Sequence, residues 1–310
     1  MAGGIVAAGA NMAELQEILD TRFNQAFGAA QNSDAVQMTS ALAMTVPCPG
    51  DDLIVPFYGG VTSVEEFKDT VVSSTLDDKQ ITVTPKIWNN SVAISDKLMR
   101  DKTGVLLQNR ITDLAVKVAN KLPERVGKLI QNGDATTYGS EFLGNNFFAN
   151  DHTWGSSGVN DNFFTITGTT QADILTDIGI GINALKTMKD DKGDTINVGL
   201  QNNLIIVAPW ELFFIILSVV NPAVEGGGET SATNYVRNLG IKVFGCTEIT
   251  DDDEWYMFLT GGTSAPFVIA ENQGVVTEIE RRASKLESLY IASACSEVAY
   301  GDFRRAVKFD

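Results

Sequence analysis

The chain has 310 residues, 44% of them hydrophobic, which is enough for one large domain or two ordinary ones with a real core. Lysine and arginine number 23 against 39 aspartate and glutamate, a net formal charge of −16, so its surface on average repels nucleic acid and disfavours sequence-specific DNA binding. Cys48, Cys246 and Cys295 are too scattered and odd in number for a disulfide framework or a zinc site, and read as reduced, mostly buried small hydrophobes. The most apolar stretch, Leu212–Val220, is half the roughly 18 residues that a membrane span needs. The opening MAGGIVAAGA lacks the basic region and long apolar core of a signal peptide, so the expectation is a soluble protein made in a reducing cytoplasm.

Residues 12–28 read as an amphipathic helix in which Met12, Leu15, Ile18, Leu19, Phe23 and Phe27 share a face. Its Gly/Ala-rich and polar flanks make residues 1–43 an N-terminal arm that packs on something else. Residues 44–95 combine short β-prone runs with Pro47, Pro49, Pro56 and the Gly59–Gly60 pair, a composition suited to a long exposed hairpin whose edges must not pair promiscuously. Within this region Gln80–Ile87 and Ser91–Ser95 are the clearest strands.

From Thr103 to Asn132 one long helical pattern follows, apolar at Ile111, Ala115, Val118, Leu122, Val126 and Leu129, with Thr103 as N-cap and Gly133 just past its end. Globular helices average about 11–12 residues, and at 1.5 Å per residue this one would span about 45 Å. Pro123 lacks an N–H and crowds the carbonyl of Ala119, so a bend is expected over Ala119–Leu122. Arg110, Lys117, Lys121, Arg125 and Lys128 recur at helical spacing and stack into one stripe beside the apolar face. Only Asp113 and Glu124 oppose them, which leaves a local surplus of positive charge in an acidic chain. The stripe is either a solvated face or an electrostatic seat for a neighbouring subunit, a scaffold protein or packaged DNA. Glu65, Glu66 and Asp69 in the hairpin region are the acidic groups nominated to meet it.

From residue 151 to 264 the pattern alternates helix and strand. Ile174, Leu175, Ile178, Ile182, Leu185 and Met188 form an amphipathic helix; NNLIIVAP reads as a buried strand, WELFFIILSVV as a buried helix, and IKVFGC and EWYMFLT as further strands. Residues 221–234 read as a flexible loop. From Ala265 the chain turns strand-rich, and residues 265–310 are expected to return beside the long helix of residues 96–150. No internal repeat is visible.

Chemistry finds no foothold. His152 is the sole histidine, and no serine or cysteine has the setting of a nucleophile. Asp190–Asp194 lacks the spacing of a calcium loop, Asp251–Glu254 reads as a solvated acidic turn, and Gly226–Gly228 lacks the context of a phosphate-binding loop. No catalytic residue, metal ligand or cofactor is assigned, and none is expected.

The order of these features carries a resemblance. LDDKQITVTPKIWNNSVAISDKLMRDKTGVLLQNRITDLAVKVANKLPERVGKLIQNG, then NNFFANDHTWG with Phe147, Phe148, Asp151 and His152, then INALKTMKDDKGDTINVGLQNNLIIVAPWE, resembles the major head subunit of Mu-like bacteriophages over roughly residues 53 to 309. The resemblance implies an α+β, HK97-like capsid fold. In its terms residues 44–95 are the extended β-hairpin E-loop lying across a neighbouring subunit, the long helix is the spine of a peripheral domain, and residues 151–264 are the α/β axial domain. It further implies a virion shell of pentamers and hexamers enclosing double-stranded DNA, assembled in the host bacterial cytoplasm without membrane. A separate scaffold and a portal are the implied partners, with or without a decoration protein; the scaffold follows because the short first helix is not the long helical extension that some fold relatives use as a built-in scaffold. An encapsulin-like cellular compartment is the alternative within the same fold, and an α/β enzyme or binding protein the alternative outside it.

Overall fold

The computed structural model describes residues 12–60, 78–95, 104–197, 199–221, 224–225, 232–233 and 236–310. Two sheets organise them. The first is four-stranded, in the order β1 (Ala43–Pro47), β13 (Phe267–Arg282), β14 (Glu287–Tyr300), β4 (Lys86–Ser95). β13 and β14 form a long antiparallel hairpin closed at Ala283–Lys285, where Leu286 adopts a left-handed φ of 50°. β4 runs antiparallel along β14 from Ser95 opposite Glu287 to Lys86 opposite Ser296, while β1 is parallel to the start of β13. The expected strand Gln80–Ile87 is in fact split: β3 (Asp78–Val83) ends within it and β4 begins at Lys86. Pro85 stands in the gap, where its missing N–H cannot serve a ladder.

β2 (Leu53–Tyr58) and β3 (Asp78–Val83) make a separate antiparallel hairpin. Alternation along β2 turns Val55 and Phe57 onto the body and leaves Ile54 and Tyr58 in solvent. Phe57 is stacked on Phe142 with centroids 4.6 Å apart. The hairpin's far end, residues 61–77, lies outside the described residues.

The long helical pattern is two helices, α3 (Gly104–Ala119) and α4 (Lys121–Gln131), separated at Asn120. The break falls where Pro123 predicts it, since the proline removes one rung of the ladder and sits in the first turn of α4, where an N–H is dispensable. Thr103, the expected N-cap, lies outside the described residues. Gly133 does follow α4, but its φ is not left-handed; a Cβ there would run into the Phe148 ring, so close packing demands the glycine.

α1 (Met12–Ala30), read as an arm that packs on something else, lays its apolar face on its own chain. Leu15, Leu19 and Phe23 are buried against Leu107, Ile111 and Leu114 of α3 and Tyr290 and Ala292 of β14. Asp20 clamps this contact, accepting hydrogen bonds from Tyr290 Oη and Thr277 Oγ1, each at 2.7 Å. The polar flank after it holds a further helix, α2 (Asp34–Leu42), which buries Met38 and Leu42.

The second sheet is five-stranded, in the order β11 (Lys242–Gly245), β8 (Leu204–Ala208), β12 (Trp255–Leu259), β15 (Ala306–Phe309), β7 (Phe163–Phe164). On one face α5 (Gln171–Thr187) and α6 (Trp210–Val220) pack over Leu204, Ile206, Trp255, Met257 and Phe309. On the other, Ile205, Val207, Tyr256 and Phe258 meet α4 and a cluster of aromatic rings. Every residue of β8 and β12 is therefore buried, the continuous apolar run of a strand covered on both faces. Residues 265–310 do not travel together: β13 and β14 join the four-stranded sheet, whereas β15 enters the five-stranded one between β12 and β7.

Candidate assembly surfaces

The basic stripe spans α3 and α4, and its members have different surroundings. Arg110 and Lys117 on α3 are exposed and form no ion pair among the described residues. Lys121 lies 3.3 Å from Glu124, and Lys128 bonds the same carboxylate, one helical turn on either side. Together they hold the Glu124 carboxyl below its ordinary range, the Lys128 hydrogen bond contributing most. Arg125 turns inward. Its Nη2 is 2.7 Å from Glu297 Oε1 on β14, with Lys86 Nζ 2.9 Å from the other oxygen, and its guanidinium rests on the rings of Trp88 and Tyr138. Burial alone would raise the Glu297 pKa, but the hydrogen bonds from Lys86 and Arg125 outweigh it and hold the carboxyl low. Glu65, Glu66 and Asp69 lie outside the described residues.

Beside the stripe runs an open groove of roughly 1090 Å³ between the two sheets, walled by Trp88, Lys117, Lys121, Trp210, Glu248 and Val275.

Three buried polar centres were not legible in the sequence. Lys308, with no solvent access, places Nζ 2.7 Å from Glu254, 2.9 Å from Asp134 and 3.2 Å from Asp310. Those three carboxylates lie close enough together to hold a cation, and the lysine ammonium takes that position. Asp302 and Arg304 form a bidentate pair at 2.8 and 2.9 Å, with Arg304 lying over Phe142 and Trp154. Behind them, in the DDKGD turn, the Asp190 carboxylate accepts from the backbone of Lys192 and Asp194, and Asp191 accepts from Gly60 N at the hairpin base. This turn is a structural brace.

His152 is fully buried, stacked on Phe303 with centroids 3.8 Å apart. Its Nδ1 is 4.0 Å from Glu141 Oε1, beyond hydrogen-bond reach. Burial pushes the imidazole down to about 4 and Glu141 up to about 7, the latter despite hydrogen bonds from the backbone of Leu143 and Asn145. No serine or cysteine nucleophile stands beside it among the described residues, and burial raises the Cys246 thiol away from reactivity.

The comparisons with known proteins decide the class. The family model described as phage capsid protein matches residues 78–308, which takes in the five-stranded sheet, the four-stranded sheet apart from β1, and the helices from α3 onward. The chain belongs to the phage capsid protein family. No curated protein sequence matches this capsid protein. Among solved structures it is similar to the capsid of the cyanophage P-SCSP1u, at 10% identity and a TM-score of 0.54 over 86% of this chain and 85% of that one. The capsid of a native GTA particle matches at 15% identity and 0.53 over 90% of each chain. A virus-like particle from Pyrococcus furiosus matches at 11% identity and 0.51 over 95% of this chain and 98% of that one. These likenesses carry the fold, which is HK97-like and α+β. The capsid protein's long-range ion pairs, Arg125–Glu297 between α4 and β14 and Lys308–Glu254 between β15 and the start of β12, therefore brace a shell subunit.

Proposed function

We propose that copies of this capsid protein close into an icosahedral head, as pentamers and hexamers, around double-stranded DNA, and that the head is of the Mu-like type. The observation that carries the reading is the family match running unbroken from Asp78 to Lys308 through both sheets. The Mu-like assignment is supported by the order of motifs from the paired strands through Asp151-His152 to the DDKGD turn. A scaffold and a portal, with or without a decoration protein, complete the assembly, which takes place in the host bacterial cytoplasm and ends in the virion. The chain's work is geometric: each subunit buries area on several neighbours through heterologous contacts around symmetry axes. Residues 61–77 would form the reaching end of the E-loop. Arg110 and Lys117, the stripe members with no carboxylate of their own among the described residues, would seat an acidic neighbour, with Glu65, Glu66 and Asp69 of a second copy as the nominated partners.

Negative-stain microscopy of the purified protein, alone and with the scaffold encoded beside it, tests the reading. Closed shells or capsomer-sized rings are expected; a stable 33.4 kDa monomer under all salt and scaffold conditions overturns it. Nuclease-protected double-stranded DNA in particles from the source separates a phage head from a cellular compartment, as do neighbouring genes for a portal and a large terminase.

A further inference from the structure

No further inference is drawn: the strongest candidate, the open groove between the two sheets walled by Trp88, Trp210 and Val275, carries Lys117 and Lys121 beside Glu124, Glu248 and Glu271, so its charge selects no partner and nothing in the structure shows what covers it.

Discussion

The Lys308 ammonium stands 2.7 Å from Glu254 Oε1, and the lysine side chain has no access to solvent. Tyr256 donates to the same carboxylate from within β12, so this ion pair and its hydroxyl partner tie together the neighbouring strands β12 and β15. Removing one member of a buried pair leaves an uncompensated charge, a loss of about 3–5 kcal/mol. Lys308→Met is therefore expected to lower the urea midpoint of the subunit sharply, with Lys308→Met/Glu254→Gln recovering part of the loss. A single variant as stable as wild type would show the pair to be idle.

Arg125→Gln and the Arg110→Gln/Lys117→Gln double variant are expected to separate the two halves of the basic stripe. Arg125 hydrogen-bonds Glu297 through both Nε and Nη2, so its loss is expected to cost about 1.5–3 kcal/mol of subunit stability. The exposed pair on α3 is expected to leave stability within about 0.5 kcal/mol of wild type. If it seats an acidic neighbour, its assembly threshold rises at low salt and converges with wild type near 1 M, where the Debye length is about 3 Å. Equal thresholds at low salt would leave those residues as solvated ornament.

His152 and Glu141 are expected to pull the pH dependence of stability in opposite directions. Glu141, raised by burial to about 7 in the fold, destabilises the protein at alkaline pH, and that penalty is relieved as pH falls from about 7 towards its unfolded value of 4.5. His152, lowered by burial to about 4, favours the fold above its unfolded value of 6.5, and that stability is lost as pH falls towards 4. Each shift corresponds to on the order of 3 kcal/mol, so the two offset one another between about pH 6.5 and 4.5. In Glu141→Gln only the histidine remains, and stability measured by urea unfolding is expected to decline steadily from pH 6.5 to 4. In His152→Phe, which keeps a ring against Phe303, stability is expected to rise across the same range. Parallel profiles for the two variants would rule out this pair as the source.

Deleting Ser63–Thr75 is expected to leave a folded, soluble subunit that cannot close shells, as judged by circular dichroism and microscopy together. Global unfolding of the deletion would show the segment to be core. Gly60→Ala is the companion test at the hairpin base. A Cβ there would collide with the Asp190 carboxylate, and overpacking of that kind costs about 1–3 kcal/mol.

Periodicity made much of this fold legible. The alternating block from α5 through β12 and the strand-rich return of β13 and β14 follow from residue patterns alone, and Pro123 places the break between α3 and α4. The helical spacing of the stripe also put Arg125 on the right helix, but spacing reports only the element a residue rides on. Its partner Glu297 lies 172 positions away, on a strand whose register nothing local specifies. The same limit hid Glu141 under His152 and the acidic cage around Lys308. α2 was missed because SDAVQ looks polar, although Met38 and Leu42 supply the buried face. β15 was misplaced because four residues after a turn carry no sign of which sheet will receive them.

That last strand sets an order of events. The five-stranded sheet needs β15 between β12 and β7, so β7, made almost 150 residues earlier, has no neighbour in its sheet until synthesis reaches Phe309. Local contacts cannot close that sheet sooner. A chain cut anywhere between β7 and β15 gains neither the seam nor the Lys308 cage, so the five-stranded sheet closes in one late, long-range step.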